Sequence, residues 1–541
     1  MAPTSSLALA SVAESMVLAR YAPAYSITNS NFLRPLALFW IQMLLWFTWS
    51  AVIYPHFLSP LRHLPQPKGG HWLMGHFNKI RKENTGEPAR EWSQTVPNEG
   101  LIYYRFAFNS ERVLVTSPKG LAEVLVHKNY EFIKPGTIRD GIGRILGIGI
   151  LLAEGDEHKR QRKLLMPAFH FRHVKDLYPV FWTKAQEAAQ AMIAAIQQPA
   201  PLAEKPSSVV DIANWASRAT LDIIGVAGMG KDFGAVADPN SELNATYRRI
   251  FSPNAVARFL QLLGLIIPFW VLRNLPIKRN MEVDEAAETI KRISREIIQS
   301  KRKHLEKNER TEVDIVSVAL ESGGFSDEDL VNQMMTFLAA GHETTATSLT
   351  WVAYLLAKHP DVQKRLREEI RANLPSPESG KQITSTDIDR LPYLNAVCNE
   401  VLRFYAPVPM TLRISDRDTT ILGKFIPKGT TIVLSPWATN TSKELWGEDA
   451  MEFNPDRWLG TGRANTGGAD SNYSFLTFLH GPRSCIGQAF AKAEFACLVA
   501  VWIGKFEMEL ANPDAELELQ SGITARPKGG LPVKLKVVDG W

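Results

Sequence analysis

Cysteine is scarce in this chain: three occur in 541 residues, Cys398, Cys485 and Cys497. They are too few and too scattered for a disulfide framework or a structural zinc site, and a reducing, cytosol-facing environment fits. An excess of one charge is lacking too. Lysine and arginine number 61 against 56 aspartates and glutamates, a formal net charge of +5, and no basic cluster is interleaved with aromatics. Nucleic-acid binding therefore has no support. No internal repeat is present. With 45% hydrophobic and 22% charged residues, the composition is that of a globular chain with a substantial core.

One of the three cysteines has unusual neighbours, in Phe478-Leu-His-Gly-Pro-Arg-Ser-Cys-Ile-Gly487. A thiolate serving as an axial haem ligand must be kept from solvent and oxidants, and backbone N–H donors must temper its basicity. Gly481 and Gly487 allow a tight turn and close approach of backbone to a porphyrin. Arg483 can pair with a haem propionate, and Phe478 can cover the sulfur. The plainer reading, a buried cysteine acting as a small hydrophobe, suits Cys398 and Cys497, which sit in apolar helical patterns. The spacing F-x-x-G-x-R-x-C-x-G resembles the cysteine-ligand loop of the cytochrome P-450 superfamily, the haem-thiolate monooxygenases. The resemblance implies haem b bound to iron's axial ligand Cys485, with Phe478, Arg483 and Gly487 around it.

Upstream, Ser326 followed by Asp329 reads as a helix N-cap with an acidic first turn, and no proline follows until Pro360. A single helix from Asp327 to His359 would be about 50 Å long at 1.5 Å per residue. Its middle, Ala339-Ala340-Gly341-His342-Glu343-Thr344-Thr345, sets small residues where a backbone can approach a flat cofactor and an acid beside a hydroxyl. It resembles the superfamily's A-G-x-[DE]-T pattern. That implies Ala340 and Gly341 against haem, Thr344 hydrogen-bonding the dioxygen-derived ligand or its water, and Glu343 relaying protons from solvent. A mid-helix threonine otherwise bonds back to its own helix, and a glutamate is otherwise solvated. For His342, an outward or helix-packing position is expected.

Glu400 and Arg403 stand at i and i+3 in Tyr393-Leu-Asn-Ala-Val-Cys-Asn-Glu-Val-Leu-Arg403, on one helical face where they can pair. They match the superfamily's E-x-x-R motif, and Arg457 in Phe453-Asn-Pro-Asp-Arg-Trp458 resembles the third member of that structural brace. Gly155-Asp-Glu-His-Lys-Arg-Gln-Arg162 matches the W-x-x-x-R helix except that His158 replaces the tryptophan. Either ring can donate to a propionate, and the histidine introduces a possible pH sensitivity. The resemblance assigns Arg162 and Arg413 to the propionates, with a surface-charge role as the alternative for each.

Pro35 to Tyr54 reads PLALFWIQMLLWFTWSAVIY, uncharged and long enough to cross a bilayer as a helix. It begins too far from Met1 for an ordinary cleaved signal peptide. Pro60, Pro65 and Pro67 with Arg62, His63 and Lys68 follow as a stiff basic connector. The expected organisation is an extension over 1–34, a transmembrane anchor over 35–58, a proline-rich hinge over 59–70 and a haem-thiolate catalytic domain over 71–541. Length alone suggests about three domains, but motifs from His158 to Cys485 would converge on one haem. A second apolar stretch, Phe259 to Leu275, is broken by Pro268 and reads equally as a membrane contact or a pocket-covering helix.

The glycine-rich stretch Ile133 to Leu152 reads as a flexible apolar loop lining a substrate pocket, with Ala406 to Leu412 and the turn Ser521 to Ala525 as its companions. Pro199 to Ser208, Asn373 to Lys381 and Gly460 to Asn472 read as surface loops, and Val113 to Val115 and Thr430 to Leu434 as short strands. The expected fold is mainly α with a small β region, haem lying between the long oxygen-activating helix and the cysteine loop with its following helix. By resemblance to fungal microsomal members, the expected activity is oxidation of a lipophilic small molecule, terpenoid or polyketide, by O2. No flavin or nicotinamide domain follows, so electrons would come from NADPH through a separate reductase, assisted by cytochrome b5, at the endoplasmic reticulum membrane with a single span and a cytosolic catalytic domain. A haem-thiolate isomerase, dehydratase or peroxygenase is the alternative enzyme, and a haem-binding gas or sterol sensor the non-enzymatic one. Intact Glu343 and Thr344 favour the monooxygenase.

Overall fold

A computed structural model describes the chain apart from residues 1–3, 27, 29, 198–207, 252–254, 308–313 and 521. The surface loop expected from Pro199 to Ser208 lies, except for Ser208, outside the described residues, as does Ser521. The centre of the molecule is the helix Asp327–Lys358, which starts where its sequence says it should. The Ser326 hydroxyl accepts from the Asp329 N–H at 3.1 Å, and the Asp329 carboxylate accepts from the Ser326 N–H at 3.2 Å. This reciprocal cap satisfies two N–H groups that the first turn would leave orphaned. Pro360 then opens the next helix, Pro360–Asn373. Ile212–Ile223, Lys278–Glu306, Pro392–Phe404 and Gln488–Lys505 pack around the long helix and bury most of its length.

The β portion is small. A five-stranded sheet runs in the spatial order Leu101–Arg105, Glu111–Val115, Thr431–Leu434, Thr411–Ser415 and Phe132–Ile133. Only Glu111–Val115 and Thr431–Leu434 pair in parallel, with Val113 opposite Ile432. The two expected strands are thus hydrogen-bonded to each other. Alternation along them serves two cores: Val113, Val115, Ile432 and Leu434 face one cluster, Leu114 and Val433 another. A three-stranded sheet joins Val209–Asp211, Pro532–Val537 and Phe506–Leu510.

The stretch Ile133 to Leu152 departs from expectation, since its centre is the helix Gly136–Leu146 rather than a loop. Glycine lowers helix propensity, so the segment owes its order to the long helix beside it. Thr336 Oγ1 donates to the Leu146 carbonyl at 2.8 Å, Asn332 Oδ1 accepts from Ile148 N at 3.0 Å, and Gln333 Oε1 accepts from Ile150 N at 2.9 Å. Gly147 ends the helix at φ 66°, where a Cβ would stand 2.6 Å from Asn332 Oδ1.

Leu33–His63 is long and apolar enough to cross a membrane, with a mean hydropathy of 1.8, and it is the one such helix among the described residues. Its regular part, Leu33–Thr48, continues into the wider turns of Trp49–Leu58, which contain Pro55. A helix at Thr4–Tyr21 lies against Leu33–Thr48. The Phe259 to Leu275 stretch contains the helix Phe269–Arg273, with Pro268 as its N-cap, and follows the start of Ala255–Leu263. Phe259, Ile266 and Trp270 are exposed on it.

Candidate functional site

Cys485 follows a turn that only glycine permits at its start. Gly481 has φ 76°, and a Cβ there would lie 2.2 Å from the Leu125 carbonyl oxygen. The Cys485 N–H then donates to the Phe478 carbonyl at 2.9 Å. The Cys485 side chain is open to the space beside it, yet the surrounding protein shell pushes its thiol up, opposed by the Gly487 N–H and the charge of Arg162. Gly487 differs from Gly481: the nearest atom a Cβ would meet is a Phe169 ring carbon at 3.8 Å. The polypeptide alone does not demand a glycine there. Gly341's missing Cβ points at Ile224 Cδ1, 2.8 Å away, so close helix packing is one reason for that glycine.

The thiol opens into a cavity of about 3300 Å³, partly open to the outside, that reaches from Cys485 to Trp46 and Tyr54 near the N-terminus. All the residues expected to contact haem or dioxygen line it: His158, Arg162, Ala340, Gly341, Glu343, Thr344, Arg413, Phe478, Arg483 and Gly487. The pocket wall is mainly apolar, as expected, with a few charged side chains on it. Asp140 and Arg144 of the Gly136–Leu146 helix face it, and Arg144 is paired with Asp284.

On one side of the cavity, cations outnumber acids. Arg162 donates to the Ser484 carbonyl at 2.7 Å, joining its helix to the cysteine loop. Arg413 is buried and donates to the Leu412 carbonyl at 2.8 Å; burial, reinforced by Arg483, brings its pKa down to about 10. Arg483 pairs with Glu154 and donates to the Phe132 carbonyl at 2.8 Å, while its buried Nε has no partner. Lys134, which the sequence did not single out, completes the group. Its Nζ is 3.9 Å from Glu154 Oε1, and burial with Arg413 and Arg483 nearby holds its pKa well below the usual lysine range. Lys134, Arg413 and Arg483 thus share one carboxylate, and Arg162 stands with them around His158. Buried charge calls for counter-charge, and the two propionates of haem match that need, as the open face of Gly487 matches a close planar neighbour. The donor set fits haem.

His158 is buried, with Nδ1 3.1 Å from the Tyr130 hydroxyl. Burial, then Arg483, Lys134, Arg162 and Arg413, bring its pKa down to about 4. His342 is a packing histidine, hydrogen-bonded to Ser217 Oγ at 3.0 Å and set against the Tyr247 ring.

Across the cavity, Thr344 Oγ1 donates to the Ala340 carbonyl at 2.8 Å, bonding back into its own helix. Glu343 is not solvated. Thr524 Oγ1 donates to Glu343 Oε1 at 3.0 Å, and Arg526 Nη1 lies 2.9 Å from the same oxygen. Burial pushes the Glu343 carboxyl up, with Arg526 and Thr524 opposing. Both partners come from the turn that also presents Gly522 and Ile523 to the cavity. Sequence reasoning placed that turn in the pocket wall but missed its hold on the acid.

Outside the cavity, Glu400 and Arg403 are fully buried. The Glu400 carboxylate accepts from Arg403 Nε at 2.8 Å and Nη2 at 2.7 Å, from Arg457 Nε at 3.1 Å, from Trp458 Nε1 at 2.8 Å and from Asn454 N at 2.9 Å. Arg403 also donates to the carbonyls of Asn440, Ala450 and Glu452. The network ties the helix Pro392–Phe404 to the segment that leads into the cysteine loop.

Comparison with known proteins agrees with this architecture. The family model described as Cytochrome P450 matches residues 65–533. The cytochrome P450 monooxygenase sphH of Aspergillus fumigatus is 50% identical over 500 residues, 91% of each chain. ALT8 of Alternaria alternata is 43% identical, over 92% of this chain and 93% of its own. FUM15 of Gibberella moniliformis, also named a cytochrome P450 monooxygenase, is 43% identical over 91% of both. Among solved structures, the cytochrome P450DA heme domain superposes with a TM-score of 0.70 at 22% identity, covering 88% of this chain and 98% of that one. The chain belongs to the cytochrome P450 family and is one of its monooxygenases.

Proposed function

We propose that this protein is a membrane-anchored oxygenase of a lipophilic secondary metabolite, with haem held by Cys485. The observation that carries the reading is the single cavity shared by the Cys485 thiol, the cation group around Glu154 and the pair Glu343 and Thr344. Haem with a thiolate ligand supplies dioxygen activation and the transfer of one oxygen atom to a C–H or C=C bond. The protein's share is placement and proton supply. Lys134, Arg162, Arg413 and Arg483, with His158, would hold the propionates, and Phe478 with the Gly481 turn would shelter the sulfur.

Glu343 carries protons inward from the side of Thr524 and Arg526, and the Thr344 hydroxyl passes them on by turning from the Ala340 carbonyl toward the cavity. Walls from Gly136–Leu146, Ala406 to Leu412 and Gly522 to Ala525 shape the cavity and orient the substrate. Substrate reaches the cavity from the bilayer, past Trp46 and Tyr54 and beside Phe259, Ile266 and Trp270. Electrons come from an NADPH-dependent P450 reductase, assisted by cytochrome b5, on the cytosolic face of the endoplasmic reticulum.

The test is a screen of apolar metabolites against the purified protein for the ferric spin-state change, followed by product analysis with reductase and NADPH. A ligand that shifts the spin state and gains one oxygen atom supports the reading. Isomerised or dehydrated product without oxygen incorporation sinks it. For the anchor, protease treatment of sealed microsomes should degrade the domain after Pro67 without detergent; protection there would reverse the orientation.

A further inference from the structure

Gln42 is the one amide in the apolar run from Pro35 to Tyr54, close to its midpoint. An amide at that depth in hydrocarbon needs a partner, because no water is available to bond it. The partners come from the helix Thr4–Tyr21. Gln42 Nε2 donates to Glu14 Oε2 at 2.6 Å, and Gln42 Oε1 accepts from Ser11 Oγ at 3.2 Å.

The two helices run antiparallel, since Ser11 meets Gln42 while the later Ser15 offers its carbonyl to the earlier Arg34, 3.4 Å away. The contact face is small: Ser11 and Ser15 are buried there, which lets the backbones approach. Arg34 is also buried and is held by Ser26 Oγ at 2.6 Å and the Thr28 carbonyl at 3.1 Å, at the end where the helices join. Ser11, Ser15 and Arg34 of this pair therefore face inward, while Glu14 reaches Gln42 from the exposed rim of the contact. Leu9, Met16 and Val17 on the first helix, and Trp40, Leu44 and Leu45 on the second, face outward, Leu9 being 74% exposed and Leu44 65%.

A seam of buried serines and Arg34, with Glu14 at its rim tied to Gln42 and large apolar side chains on the outer faces, suits lipid more than water. The 18 residues of Thr4–Tyr21 span about 27 Å, against about 30 Å for a hydrocarbon core. The connecting residues 22–32 carry no charged side chain to oppose translocation. We propose that Thr4–Tyr21 inserts into the bilayer as the partner of Leu33–Thr48. The pair forms a two-helix hairpin that puts residue 4 and the catalytic domain on the same, cytosolic side, with residues 22–32 at the opposite face. This replaces the single span expected from hydropathy. Glu14 lowers the hydropathy of the first helix, yet it is the residue that satisfies Gln42.

The inference rests on the membrane anchoring proposed above, and the experiment separates the two. Full-length protein is inserted into microsomes in two versions. Each carries an N-glycosylation acceptor, an epitope and a flexible spacer, placed either ahead of Met1 or between Ala24 and Tyr25. Carbonate extraction comes first: release of the protein would defeat the anchoring itself, and the hairpin with it. In carbonate-resistant protein, the acceptor between the helices should be glycosylated and the one ahead of Met1 should not. The N-terminal epitope should also be digested by protease in sealed vesicles. Glycosylation or protection of the N-terminal tag overturns the hairpin in favour of a single span. Digestion of both epitopes in sealed vesicles overturns it too, because the helix pair would then lie outside the bilayer.

Discussion

Glu400→Gln is nearly isosteric, and for that reason it isolates charge and hydrogen-bond polarity in the brace. Every group facing the carboxylate is a donor. Arg403 Nε and Trp458 Nε1 face Oε2, while Arg403 Nη2, Arg457 Nε and Asn454 N face Oε1. The amide nitrogen of a glutamine must point at one of these sets, and the less costly choice sets it against two donors. At about 1.5–3 kcal/mol for each hydrogen bond to a charged group, two lost bonds amount to about 3–6 kcal/mol. Breaking a buried ion pair by removing one partner gives a similar figure, about 3–5 kcal/mol. A loss of about 4 kcal/mol is therefore expected, against a total stability on the order of 5–15 kcal/mol for a folded domain.

Arg403 keeps its three carbonyl partners and Arg457 keeps Asp449 at 2.9 Å, so the fold should weaken rather than disappear. Urea unfolding followed by far-ultraviolet circular dichroism measures the loss, and haem per polypeptide measures its consequence. Arg365→Met is the control. Its partner Asp456 is 2.8 Å away, but both side chains are half exposed, and such pairs contribute at most about 1 kcal/mol. A Glu400→Gln protein with wild-type urea stability and full haem content would refute the reasoning.

Cys485→Ala should abolish the strongly red-shifted Soret band of the reduced carbon monoxide complex, and an unchanged band would remove Cys485 from its assigned role. Thr344→Ala should retain haem and the substrate-induced spin change but send reducing equivalents to hydrogen peroxide. NADPH consumed per product measures this, and full coupling would shift the proton route to another group. Arg526→Leu removes a cation that holds the Glu343 pKa down against burial. That carboxyl then stays protonated to higher pH, so the alkaline limb of product yield per NADPH should move upward. An identical pH profile would mean that Arg526 does not govern this acid.

The legible parts of the site were those written in short-range spacing. The Ser326 cap, the Glu400 and Arg403 pair and the Phe478 to Gly487 turn each join residues within ten positions, so pattern and contact coincide. Partners supplied from afar were not legible. Thr524 reaches Glu343 across 181 residues, and nothing local marks Thr524 or Arg526 as its companions. Lys134 and Glu154 belong to no motif, and only the fold brings them together beside Arg483. The Gly136–Leu146 segment was read as a loop because its glycines disfavour helix, while the hydrogen bonds that order it come from Asn332, Gln333 and Thr336. His158 was expected to bring a possible pH sensitivity; burial, then the cations supplied by distant segments, lower its pKa to about 4.

The turn from Gly522 to Pro527 makes adaptation to new substrates uneven along the pocket. Ile523 lines the cavity without a tie to Glu343, so its side chain can be exchanged to reshape the space. Thr524 and Arg526 stand one and three positions later and share an oxygen of the acid. An exchange there, even one that improves fit to a new molecule, alters proton supply at the same time. Directed evolution of this enzyme should therefore accumulate changes at Ile523 freely and at its two neighbours rarely. Variants that do alter those neighbours should show wasted NADPH alongside their new selectivity.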